Sequence, residues 1–95
     1  MEKQLQKYAN RINNALENKD PQIRSIFKEV VDEMRSTIKG SNLYYSRDVF
    51  IDIGGTFENA QKDILFRSDD YIFEVSDDIE EHPGIIMKYK RNEYY

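Results

Sequence analysis

Apolar side chains recur at Leu5, Tyr8, Ile12, Ala15 and Leu16, with Lys3, Gln6, Asn10, Asn13 and Glu17 on the other side. This is the 3–4 spacing of one helical face and predicts a helix over residues 2–17. Asn13-Asn14 weakens it, because Asn competes for backbone hydrogen bonds in mid-helix. Asn18-Lys19-Asp20-Pro21 is a break, in which Asp20 is expected to cap the next helix and Pro21 to take its first position. Ile23, Ile26, Phe27, Val30, Val31, Met34 and Ile38 then predict a second helix over residues 21–39, stopped by Lys39-Gly40. The short connection implies an antiparallel helix hairpin.

The period changes in the second half. Val49, Ile51 and Ile53 alternate with Phe50 and Asp52 up to Gly54-Gly55, as strand residues do. Ile64-Leu65-Phe66-Arg67 and Tyr71-Ile72-Phe73-Glu74-Val75 flank Ser68-Asp69-Asp70, which reads as a hairpin loop. A last strand follows the turn at His82-Pro83-Gly84. The expected strands are residues 47–54, 62–67, 71–76 and 85–91. Residues 56–62 fit either a strand extension or a loop, and Tyr44-Tyr45 falls in a loop before the sheet. The expected fold is a single α+β domain over residues 1–95. In it, the N-terminal helix hairpin packs on one face of a three- to four-stranded antiparallel sheet.

Composition narrows the functional classes. The 95 residues are 39% hydrophobic and 34% charged and include seven Tyr and five Phe, too apolar for a disordered chain. The net charge of −4 disfavours nucleic acid as a partner, since phosphate binding needs a cationic excess. Cysteine is absent, which removes disulfides, zinc-thiolate sites and a Cys nucleophile. The N-terminal residues lack a signal-like apolar run, and no stretch is long enough for a membrane span. A cytoplasmic protein with no membrane partner is expected. Abundant Ile, Lys, Asn and Tyr suit AT-rich codons, hence a phage or mobile-element origin.

Two resemblances bear on chemistry. Asp52-Ile53-Gly54-Gly55-Thr56 is similar to the first phosphate-binding loop of the sugar-kinase and actin ATPase superfamily, where glycines let backbone N–H groups approach phosphate. That family closes two large domains around its nucleotide, for which this chain has no room, so the string reads as a strand-end glycine bend. The helices-then-strands order, Tyr71 to Val75 and the basic-aromatic stretch from Lys88 to Tyr95 resemble small RelE-like toxins. That resemblance implies a ribosome-dependent ribonuclease using a late Tyr and basic residues. The family's opening strand is missing here, and the charge has the opposite sign.

Other motifs add little. Asp77, Asp78, Glu80 and Glu81, with Asp69, Asp70 and Glu74 nearby, form an acidic sector suited to a basic partner surface or to imitation of nucleic acid. Calcium-loop spacing is absent. His82, the only histidine, has no nucleophile elbow to serve. No catalytic residue, cofactor or metal site is expected.

The strands suggest a surface. If Tyr71, Phe73 and Val75, with Ile85, Met87 and Tyr89, face the helices, then Ile72, Glu74, Ile86 and Lys88 face outward. Phe50 and Leu65 or Phe66 could join them, and Tyr44, Tyr45, Tyr94 and Tyr95 add ring surface. The expected function is a small acidic protein-binding module, a regulator or inhibitor acting by contact with a host protein. Its partner is an unidentified protein or a second copy of the chain. The expected contact residues are Tyr44, Tyr45, Ile72, Glu74, Asp77, Asp78, Glu80, Glu81, Ile86 and Lys88. The alternatives are the RelE-like ribonuclease and single-strand nucleic-acid binding through Lys88, Lys90 and Arg91 with Tyr89, Tyr94 and Tyr95.

Overall fold

A computed structural model describes residues 2–90. Arg91, Tyr94, Tyr95 and the end of the expected last strand lie outside the described residues. The fold is α+β: α1 (Glu2–Glu17), α2 (Ile23–Thr37), β1 (Asn42–Tyr45), α3 (Arg47–Asp52), α4 (Phe57–Phe66), a turn of 3-10 helix (Ser68–Asp70), β2 (Tyr71–Val75) and β3 (Gly84–Tyr89). Among the described residues, no helix is long and apolar enough to cross a membrane.

The first two helices match their expected extents closely. Leu5, Tyr8, Ile12, Ala15 and Leu16 are buried on α1, and Ile23, Phe27, Val30, Val31 and Met34 on α2. The start of α2 differs in detail. Pro21 precedes the helix and Gln22 is its N-cap, while Asp20 Oδ1 accepts from the Gln22 N–H at 2.8 Å and so holds the turn ahead of it. Arg11 of α1 donates to Glu33 of α2 at 2.7 Å and reaches Glu29 at 3.5 Å. The hydrogen bond to Arg11 holds the Glu33 carboxyl below its ordinary range.

The segment expected to form the first strand, residues 47–54, is helix α3. Ser46 supplies the reason: its Oγ accepts from the Val49 N–H at the N-terminus, and Asp48 sits in the first turn. Val49 and Ile53, which alternate like strand residues, are also four apart and bury one helical side, leaving Phe50 and Ile51 outside. Of the expected strand 62–67, residues 62–66 likewise belong to a helix, α4, and Arg67 is its C-cap. Thr56 Oγ1 accepts from the Asn59 N–H at 3.0 Å, and Ala60 and Ile64 are its buried side. The ambiguous residues 57–62 are its first turns. Gly54 and Gly55 therefore join two helices instead of bending a strand. Both have positive φ, +74° and +72°, and a Cβ at Gly55 would meet the Phe50 ring. Ser68-Asp69-Asp70 links α4 to β2 and is not a hairpin loop.

The sheet has three strands in the order β1-β3-β2, and it is mixed, not antiparallel: β2 pairs antiparallel with β3, whereas β1 runs parallel to it. Tyr44-Tyr45 is thus strand, not loop. The Asn42 N–H donates to the Pro83 carbonyl at 3.0 Å and the Ser46 N–H to Met87 at 2.9 Å, so β3 satisfies the backbone of this segment. The Leu-Tyr-Tyr composition suits a pleated, half-buried surface. Helix α1 lies against α2, β2 and β3, and α2 against α4 and β1. At the centre, the Phe27 ring meets Phe57 at 5.2 Å and Phe73 at 5.8 Å.

Candidate functional site

The helical state of residues 47–66 assembles a cluster the sequence reading did not foresee. Arg67, the C-cap of α4, donates to Asp70 at 3.1 Å and to Asp52 at the end of α3, and stands 4.0 Å from Asp63 one helical turn back. Its guanidinium carbon lies 5.4 Å from the Tyr89 ring centre and 5.7 Å from that of Tyr71, and the two rings pack at 5.3 Å. The Tyr71 hydroxyl donates to Asp63. One cation therefore ties α3, α4, the 3-10 turn and two strands together.

The charges do not balance. Three carboxylates share one guanidinium. Burial, and then the neighbouring carboxylates of Asp52 and Asp70, hold the Asp63 carboxyl above its ordinary range against the pull of Arg67. Burial opposes the charge on Arg67, but hydrogen bonds to Asp70 and Asp52 outweigh it and raise its pKa. The Tyr89 hydroxyl is pushed up to about 12, first by burial and then by its interaction with Asp52.

Beside this cluster is a surface hollow of about 240 Å³ lined by Asp52, Ile53, Asn59, Lys62, Asp63 and Phe66. Phe66 is 84% exposed and Ile51 66%, the most exposed large apolar side chains among the described residues. Each stands one position before a member of the Asp52–Arg67 pair. Leu65, 43% exposed, lines a different hollow beside the α1–α2 turn. Phe50 packs on Tyr45 at 5.7 Å. Phe50, Leu65 and Phe66 are thus exposed as expected, but on helices and not on the outer sheet face.

That outer face does bring several expected contact residues together. Register pairs Tyr44 with Ile86, Ile86 with Glu74 and Lys88 with Ile72, and all five are half-buried. Lys88 bridges to Glu74 at 3.1 Å and Asp77 at 3.8 Å, and its hydrogen bond to Glu74 raises its pKa. The Tyr44 ring meets His82 edge-on at 5.6 Å. The loop after β2 is thereby held at this face by its two ends. Tyr45 does not belong there: it turns inward with Leu43, packs against the core, and has its hydroxyl raised by burial.

Within the loop, Asp77, Asp78, Glu80 and Glu81 are exposed. Asp78 orders the turn: its backbone carbonyl accepts from the His82 N–H at 2.7 Å and its Oδ1 from the Glu81 N–H at 3.3 Å. Ligand atoms of Asp78, Glu81 and His82 lie within 4.8 Å of one another, an exposed trio. Asp63 and Arg67 escaped the sequence reading because their i, i+4 relation has meaning only once residues 57–66 are helical, and Phe66 was expected beside the outer sheet face instead. The signal that could have found them was Thr56, a cap residue three positions before Asn59.

Compared with known proteins, the chain matches no family model, no curated protein and no solved structure.

Proposed function

We propose that this chain is a protein-binding module that acts by surface contact. The observation that carries the reading is the exposure of Phe66, which lines a hollow together with Asp52 and Asp63, and of Ile51, the residue before Asp52. Large apolar side chains left in water next to a concavity are the usual mark of a contact surface. The outer sheet face, with Tyr44, Ile72 and Ile86 rimmed by Glu74 and Lys88, is read as a second contact region, and the acidic loop as its margin. The reading also takes α1 and α2 as a hairpin covering the opposite sheet face, supported by the burial of Tyr71, Phe73, Ile85 and Met87. Lys88 is engaged by Glu74 and Asp77, which favours protein contact over phosphate binding at that strand.

The test compares capture from host lysate by immobilised wild-type chain and by the double variant Ile51→Ser, Phe66→Ser. Both positions are exposed, so stability should change by no more than about 0.5 kcal/mol per site. A stoichiometric protein partner retained by wild type and lost by the variant is the expected result. Equal capture by both, or no partner for either, would overturn the reading.

A further inference from the structure

We infer that residues 47–55, which carry α3, form a strap that opens as a unit while the rest of the fold stays closed, with the Asp52–Arg67 ion pair as its latch. The inference concerns a conformational device and stands apart from the protein-binding reading.

α3 is a weak helix held from outside. Six residues are too few to sustain a helix in water, so its stability has to come from its attachments. Its N-cap bond, from the Val49 N–H to Ser46 Oγ, is long at 3.5 Å. Of residues 47–53, Val49 and Ile53 are buried, and Arg47, Asp48, Phe50, Ile51 and Asp52 are exposed. By contrast, α1 buries six side chains and α2 five. Past the end of α3 stand Gly54 and Gly55, at φ +74° and +72°. Two consecutive residues without a Cβ can leave that conformation with little steric penalty, which makes them a hinge. At the other end, the Ser46 N–H donates to the Met87 carbonyl of β3 at 2.9 Å, so β1 stays in place when α3 lifts.

The charged contacts favour release. Among the described residues, Asp52 is the α3 side chain that forms an ion pair, with Arg67, and it also interacts with the Tyr89 hydroxyl of β3. Arg67 does not depend on it. Asp70 lies at 3.1 Å and Asp63 at 4.0 Å, and the Tyr71 and Tyr89 rings stand beside the guanidinium. Lifting α3 therefore leaves no orphaned cation, which is what makes breaking a partly buried pair so unfavourable. Asp52, already exposed, returns to water. The open state bares Val49 and Ile53 and the strip of β1 and β3 against which α3 lies. Loss of those two buried side chains is what keeps the open form a minor state.

Amide hydrogen exchange on the whole chain tests this. The reporters are Phe50, Ile53 and Gly54, whose N–H groups donate to the carbonyls of Ser46, Val49 and Ile51. In wild type the three should share one opening free energy, below that of the core amides of α1 and α2, with little dependence on dilute urea. Asp52→Asn should speed all three by about threefold to tenfold and leave the amides of α1, α2 and β2 unchanged. Three unrelated opening energies, or reporters that open only with α1 and α2, would overturn the strap. Acceleration in Asp52→Asn that is absent, or spread evenly over all the helices, would overturn the latch.

Discussion

Asn13, in the middle of α1, holds the backbone of Phe73 in β2 by two hydrogen bonds: its Nδ2 donates to the Phe73 carbonyl at 2.7 Å, and its Oδ1 accepts from the Phe73 N–H at 2.9 Å. A side-chain amide thereby replaces the strand that would otherwise pair with this edge of the sheet. β2 lies at the edge of the order β1-β3-β2, so these two backbone groups would otherwise stand open to another chain. The residue that weakens α1 by propensity strengthens the sheet. Both bonds are partly buried.

Replacing Asn13 by Ala should therefore destabilise the chain by about 1–3 kcal/mol, since it leaves a donor and an acceptor of Phe73 unsatisfied. It should also speed hydrogen exchange at the Phe73 amide. Asn13→Asp keeps only the acceptor and should behave worse than wild type. Urea unfolding with amide exchange checks both, and an unchanged Phe73 amide in Asn13→Ala would refute the edge-capping role.

Gly84 opens β3 with φ +147°, and a Cβ there would fall on the backbone carbonyl oxygen of Asn42. The neighbour is backbone in the parallel β1–β3 pair and cannot swing aside. Gly84→Ala should cost on the order of 3 kcal/mol or more and loosen β1 selectively. Thermal unfolding measures the cost. Gly40, which has open space around it, is the control for strain from positive φ alone.

The Asp63 carboxyl titrates above its ordinary value of 3.8 because burial, and then Asp52 and Asp70, penalise its charge. A carboxyl raised in the folded state binds its proton more tightly there than in the unfolded chain. Its contribution to stability is thus fully present below the unfolded value and is lost as pH rises through the folded one. Asp63→Asn removes that dependence while keeping an acceptor for the Tyr71 hydroxyl. Relative to wild type, the variant should gain stability as pH rises from about 4, the ordinary aspartate value, towards neutrality. Denaturant midpoints measured across that range should converge at the acid end, and parallel curves would contradict the assignment.

Tyr89 should ionise late. With its hydroxyl pushed up from 10.0 to about 12 by burial and then by Asp52, its contribution is complete below pH 10 and is lost as pH rises through about 12. Ultraviolet titration should show a late tyrosinate step that disappears in Tyr89→Phe.

The two N-terminal helices were legible because their apolar stripes are long: five positions on α1 and seven on the second helical run keep one face over four turns. The alternation in Tyr71–Val75 and Gly84–Tyr89 was equally clear, since inward and outward residues differ in polarity. Residues 47–53 failed because Val49, Ile51 and Ile53 satisfy a period of two, while Val49 and Ile53 alone satisfy a helical repeat. Seven residues are too few for periodicity to decide between them. The caps decided, through Ser46 and Thr56, and a cap is a single-residue signal that a hydrophobic pattern does not contain. With those helices misread, the candidate site was half visible: the outward set Tyr44, Ile72, Glu74, Ile86 and Lys88 was named, while Arg67 and the hollow beside Phe66 were not.

What the amino-acid sequence determined by itself was local: two amphipathic helices, two alternating strands and an acidic, cysteine-free chain, each set by neighbours within a few positions. Tertiary structure decided which strand β3 takes beside it in parallel, why Asn13 belongs inside a helix, and how Asp52, Asp63 and Asp70 converge on Arg67. Those outcomes join residues as far apart as 60 positions. They arise from backbone groups and charges seeking partners once water is excluded, a demand that no short window of sequence records.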